Sequence, residues 1–235
     1  MISETTAPTI QECRWCGAGA PADASFCPQC TKILPLPRRR DYFTFLGVPR
    51  RLNIDPADLE QRFRDRSRQF HPDYFYNAPL AERRASLERS SYLNDAYRTL
   101  KQPIARIAYL LELEGALTPA DKAAGAGATK VVPPGLLEEV FALNEELDEV
   151  RDLRSGGASK DEWTARLQRA RQPIEDKRAE HERRIAEVSR QWDALLGRPA
   201  GDAERAGVLQ ALGELMLERN YITNLLAGIE RELSQ

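Results

Sequence analysis

All four cysteines of the chain fall between residues 13 and 30, as Cys13-Arg14-Trp15-Cys16 and Cys27-Pro28-Gln29-Cys30. This crowding limits the possible folds more than any other feature. A disulfide framework spreads its cysteines across a fold, and a cytosolic chain keeps its thiols reduced. Two intervening residues let each pair turn both sulfurs towards one point. Two such turns complete a tetrahedral thiolate cage. Gly17 follows the second cysteine, where a tight turn needs a positive φ. Four sulfurs leave no open coordination position, so the expected ion is a structural zinc; the spacing alone leaves iron open. A thiol redox centre needs only one pair and a β–α context, and neither fits. A segment this short buries too little apolar surface to fold without its metal.

The rest of the chain is helical in pattern. Of 235 residues, 42% are hydrophobic and 30% charged, with a net charge of −2. That composition suits a helix-rich globular chain, and the balance lacks the global basic field of a typical nucleic-acid binder. No apolar run approaches the roughly 18 residues of a membrane span. The start, "MISETTAPTIQEC", lacks the basic and apolar regions of a signal peptide, so a cytoplasmic protein is expected. Three segments follow from composition: a tetracysteine module at 10–34, a helical module at 41–114 and a second at 136–235. "LPLPRRR" (34–40) is a stiff, basic connector. "GALTPADKAAGAGATKVVPPG" (115–135) breaks any helix and reads as a linker. Period-two alternation is missing, so strands are expected only within the cysteine module.

The 41–114 module contains a compact constellation. "DYFTFLGVP" predicts a short helix stopped by Gly47 and Pro49. Asp55 N-caps a second helix with Pro56 at its first position. Leu59, Phe63, Ser67 and Phe70 share one face of that helix. Arg64 and Arg68 lie roughly opposite, while Arg66 falls close to the apolar stripe, where its stem would snorkel. Pro72 ends the helix, because the residue before a proline avoids the α region. A third helix spans about Leu80 to Lys101, with Leu93, Ala96, Tyr97 and Leu100 on the face that packs against the second. A further short helix follows Pro103.

Two antiparallel helices joined by His71-Pro72-Asp73, with arginines on the outer face of the first, resemble a J domain. The resemblance implies that His71, Pro72 and Asp73 dock on a DnaK/HscA-type chaperone ATPase and stimulate its ATP hydrolysis. Arg64 and Arg68 would meet an acidic surface of that chaperone. His71 and Asp73 would bias the partner's conformational equilibrium rather than do chemistry, so the chain is not expected to be an enzyme. No nucleophile or third group accompanies the His/Asp pair.

The C-terminal module predicts three helices. Leu136, Val140, Leu143, Leu147 and Val150 form the first seam. Trp163, Leu167, Ala170, Ile174, Ile185, Val188, Trp192 and Leu195 form the second. Val208, Leu212, Leu215, Ile222, Leu226, Ile229 and Leu233 form the third. This is the pattern of an antiparallel bundle. Lys177 and His181 fall on the second seam as a snorkelling cation and a satisfied interior imidazole. Pro173 kinks that helix without shifting its seam. The expected fold is therefore all-α: a helical hairpin with an HPD loop and a three-helix bundle, preceded by a small metal-binding module.

Leu137 and Phe141 are a turn apart and roughly 100° off their own seam. Apolar residues turned away from a core suggest a binding patch. Residues 135–155 carry seven acids against two arginines, whereas residues 38–72 carry nine arginines against five acids. Charges sorted in this way suit two different partners.

"DYFTFLGVP", "FHPDYF", "QPIARIAYLLELEG" and "NEELDEV" together resemble the HscB (Jac) family, the J-type co-chaperones of iron–sulfur cluster assembly, over residues 41–235. Its tetracysteine module is similar to one found in some members. The resemblance implies a second partner, an IscU-type scaffold protein on which clusters are built. Family scaffold contacts carry over to Leu137, Phe141, Glu145, Glu149 and Tyr221. Glu138 stands where an apolar contact is typical, and Ala142 where an acid is typical. The N-terminal module could also mediate self-association. The alternatives are a J protein for an unrelated client or a zinc-ribbon nucleic-acid binder. The Arg38–Arg40 cluster points to the latter, and steeply salt-dependent RNA binding would mark it.

Overall fold

The structure is a computed structural model that describes residues 10–37, 40–116 and 134–234. Most of the expected 115–135 linker, and Arg38 and Arg39 of the basic cluster, lie outside the described residues. The chain forms two compact units that divide between Arg106 and Ile107.

The first unit begins with the cysteine segment. Strands β1 (Ile10–Glu12) and β2 (Gly19–Pro21) pair antiparallel, with Gln11 opposite Ala20. They are the only strands among the described residues, and they lie in the module where strands were expected. Helix α1 (Tyr42–Leu46) starts on Asp41, whose carboxylate accepts from the Thr44 N–H at 2.8 Å and from Thr44 Oγ at 2.9 Å, with Arg50 at 3.1 Å. Burial opposes the charge on Asp41. The Thr44 hydrogen bonds and the Arg50 cation outweigh it and hold the carboxyl below its ordinary range. Gly47, at φ +71°, ends the helix.

Helix α2 (Pro56–Phe70) is capped by Asp55, which accepts from the Ala57 N–H at 3.1 Å. It stops where Pro72 requires, and a single 3-10 turn (Pro72–Phe75) leads towards α3 (Leu80–Lys101). Phe63 stacks on Tyr97 at 4.3 Å, while both Ser86 and Ser90 reach the carbonyl of Phe70. Those pairings run in opposite directions along the two helices, so α2 and α3 are antiparallel. Phe43, Leu46, Leu59, Phe70, Leu93, Ala96 and Leu100 are buried in this unit. Arg66, the arginine close to the apolar stripe, sits over the Phe45 ring at 5.8 Å. Helix α4 (Pro103–Leu113) follows, and Arg106 near its start donates to Leu100 O at 2.6 Å and to Leu52 O.

The second unit takes in α4 from Ile107 onward and a bundle of α5 (Leu137–Ser155), α6 (Lys160–Leu195) and α7 (Asp202–Leu233). Ser159 caps α6 and accepts from the Glu162 N–H at 3.4 Å, the first half of a capping box. Lys177 lies 3.4 Å from Glu139 and Arg166 pairs with Glu146, so α5 and α6 are antiparallel. His181 meets Leu215 O at 2.9 Å and Arg171 pairs with Glu230, so α6 and α7 are too. Leu136, Leu143, Val150, Trp163, Leu167, Ile174, Ile222 and Ile229 form one buried cluster. Pro173 lies inside α6, which continues through it as one helix. Among the described residues no helix is long and apolar enough to cross a membrane.

Candidate functional site

Three arrangements bring candidate functional side chains together. The first is the cysteine cage. The four sulfurs lie within 4.8 Å of one another, and Cys13–Cys30 and Cys16–Cys27 are each 3.7 Å apart. A tetrahedral site with Zn–S bonds of about 2.3 Å requires sulfurs about 3.8 Å apart. The donor set therefore fits a zinc ion held by Cys13, Cys16, Cys27 and Cys30, which would tie the two turns together and supply no reactive position.

Both turns share a construction. Gly17 N–H donates to Cys13 O at 2.8 Å and Thr31 N–H to Cys27 O at 2.9 Å. Gly17 and Thr31, each just after a second cysteine, both take a left-handed backbone, at φ +71° and +59°. Sequence reasoning found the glycine. The threonine carries the same conformation despite its branched side chain, which only the second turn's geometry explains. The thiols differ in acidity. The Cys30 N–H, against the effect of burial, holds Cys27 down to about 7. The Lys32 N–H favours a Cys30 thiolate, yet burial and the adjacent thiols push Cys30 up to about 12. Cation binding must displace these protons.

The second arrangement is the HPD turn. His71 is the C-cap of α2 and the N-cap of the 3-10 turn. Its Nδ1 accepts from the Asp73 N–H at 3.3 Å. Asp73 Oδ2 is 3.4 Å from the same nitrogen. Side chains of both residues are open to solvent, as are Tyr74 (72% exposed) and Tyr76 (76%). Exposed as it is, the turn is not loosely attached. The last carbonyl of α2, Phe70 O, accepts from Ser86 Oγ and Ser90 Oγ at 2.7 Å each, and the Phe70 ring is fully buried. These serines were not legible as functional, because nothing in their spacing distinguishes them from ordinary helix residues. Arg64 and Arg68 are both exposed on α2; Arg64 pairs with Glu60, and Arg68 lies 3.5 Å from Asp65. Both pairs are exposed, so a partner's acids can displace them at little cost.

The third arrangement lies on α5. Leu137 is 41% exposed and Phe141 71%. Glu145 is exposed, whereas Glu149 pairs with Arg166, which also bonds Glu146. Tyr221 on α7 is half-buried and packs against the bundle core. A groove of about 380 Å³ opens between α5 and α6, lined among others by Ala142, Glu139, Arg166 and Pro173. Ala142, standing where the resemblance leads one to expect an acid, puts a methyl group between Glu139 and Glu146 on that wall.

No family model matches the chain. Its structure does resemble solved ones. It is similar to the human co-chaperone protein HscB at 26% identity and a TM-score of 0.64, covering 94% of this chain and 98% of that one. It is also similar to the chaperone HscB from Vibrio cholerae at 26% identity and a TM-score of 0.55, covering 83% of this chain and 99% of that one.

Proposed function

We infer that this HscB-type chain, a J-domain protein with an N-terminal tetracysteine module, is a co-chaperone of iron–sulfur cluster assembly. In this reading its HPD turn stimulates the ATPase of a DnaK/HscA-type chaperone, and its α5 face delivers an IscU-type scaffold to that chaperone. The observation that carries the reading is the His71-Pro72-Asp73 turn, exposed to solvent while its root at Phe70 O is fixed by two buried or half-buried serines.

Each step has a physical basis. The chain breaks and forms no covalent bonds. His71 and Asp73 bind, and the chaperone hydrolyses. Leu137 and Phe141 supply apolar contact area on an acidic helix, the usual composition of an interface centre with a charged rim. Holding the scaffold and the chaperone on one chain raises the effective concentration of one at the other. The chaperone then captures the scaffold and promotes cluster release.

The test measures the stimulated ATPase of the cognate chaperone together with scaffold affinity. His71→Gln removes stimulation and leaves scaffold affinity unchanged. Leu137→Ala/Phe141→Ala removes scaffold binding and leaves basal stimulation unchanged. Full scaffold binding by the double variant overturns the α5 assignment and turns the search to another client.

A further inference from the structure

The thiolate cage and the HPD turn are mechanically joined. Phe26 immediately precedes the ligand Cys27, and Phe70 immediately precedes His71. The two rings stack, with centroids 6.0 Å apart and planes 26° from parallel. The Arg89 guanidinium lies over the Phe70 ring at 5.5 Å, and Phe45 flanks it at 5.8 Å.

Arg89 is the more telling residue. It projects from α3 and is only 1% exposed. Its donors go to Leu34 O (2.8 Å), Ser25 Oγ (3.1 Å), Ala24 O (3.1 Å) and Pro35 O (3.1 Å). Three of the acceptors belong to the cysteine segment, and the fourth, Pro35 O, is the first residue beyond it. A buried guanidinium without a carboxylate depends on such acceptors, and losing them leaves its charge desolvated and unsatisfied. Lys32 adds a salt bridge to Glu82, again on α3. One helix thus grips the cysteine segment through Glu82 and Arg89 and the end of α2 through Ser86 and Ser90. The segment's own buried set is small: Cys13, Ala20, Cys27 and Leu34, together with Ile33. It depends on the metal for its fold.

We propose that metal occupancy of the tetracysteine site sets the position of the HPD turn, with Phe26 and Arg89 as the positioning residues. The metal-free chain then keeps its scaffold-binding bundle but loses its grip on the chaperone. The proposal rests on the HPD turn being the chaperone contact. Its first readout is independent of any chaperone.

The experiment compares the zinc-loaded full chain with the same chain stripped by a chelator. Hydrogen exchange is followed at residues 70–76 and at α6–α7. Stripping accelerates exchange at 70–76 about tenfold or more while α6–α7 are unchanged, and added zinc reverses it. In the ATPase assay the concentration giving half-maximal stimulation rises about tenfold, with scaffold affinity unchanged. Phe26→Leu, with zinc retained, gives a smaller change of the same kind, about threefold, and Phe26→Tyr restores the native value. Arg89→Met, with zinc retained, accelerates exchange at 70–76 as stripping does, and Phe26→Leu keeps the test decisive should that variant fail to fold. Wild-type exchange at 70–76 in verified metal-free protein overturns the proposal. Metal-dependent exchange without stimulation by the zinc-loaded chain overturns the co-chaperone reading and leaves the coupling standing.

Discussion

The two units present their proposed binding residues by opposite means. In the first, the proposed contact residues sit on an irregular turn, and polar groups fix it: Ser86 and Ser90 hold Phe70 O, and Arg89 holds four acceptors between Ala24 and Pro35. In the second, Leu137 and Phe141 stand on a regular helix whose opposite face carries the buried Leu143 and Val150. A turn has no regular hydrogen-bond ladder of its own, so neighbouring side chains must hold its backbone. A helix carries its own ladder and needs only a packed seam behind it. The first unit is therefore vulnerable to the loss of single polar atoms, the second to the loss of apolar volume.

That contrast is tested most severely on α5. Leu143→Ala, in the seam, should cost about 2–5 kcal/mol of stability through the cavity it leaves. Phe141→Ala, half a turn away, should change stability by less than about 0.5 kcal/mol. It should weaken scaffold binding at least tenfold, corresponding to about 1.4 kcal/mol or more. Denaturant melts and scaffold titrations separate the two. Equal destabilisation by both would place Phe141 in the core and remove the binding face.

The polar side of the contrast predicts a medium effect. Ser86→Ala/Ser90→Ala strips Phe70 O of both donors and should cost about 1–3 kcal/mol. Stimulation should fall at protein concentrations where the fold is intact, while scaffold affinity holds. Unchanged stimulation would show that the turn needs no such anchor.

The smallest effect concerns Asp41. Its folded pKa is depressed, so its contribution is present above its unfolded value near 4 and is lost as pH falls through the lower folded value. Asp41→Asn, which weakens the bonds to Thr44 Oγ and Arg50, should cost about 1 kcal/mol at pH 7 and less at pH 3. Comparing the two proteins' denaturant midpoints at both pH values gives the answer.

The same contrast explains what could be read from the sequence. Periodic apolar seams, the caps at Asp55 and Gly47, the stop at Pro72 and the CxxC spacing are local signals, and each appears where expected. The off-seam position of Phe141 was legible too, because helix period alone places it outside the core. Arg89 was not legible, because an arginine on a polar helix normally faces water. Its burial depends on a segment more than fifty residues away. Thr31's left-handed backbone and the two serines under Phe70 share that dependence on tertiary geometry. Tyr221 shows the limit of period reasoning from the other side. It lies off the third seam, yet it packs half-buried against the core beside Ile222.

On the proposed function, one chain carries two separable partner surfaces. The most direct test of that separation is single-turnover ATP hydrolysis by the cognate chaperone, with and without scaffold, comparing wild type, His71→Gln and Leu137→Ala/Phe141→Ala. The histidine variant should stimulate in neither condition while still binding scaffold. The α5 variant should stimulate without scaffold but gain nothing when scaffold is added. Wild-type stimulation by His71→Gln, or loss of both activities in each well-folded variant, would contradict the separation.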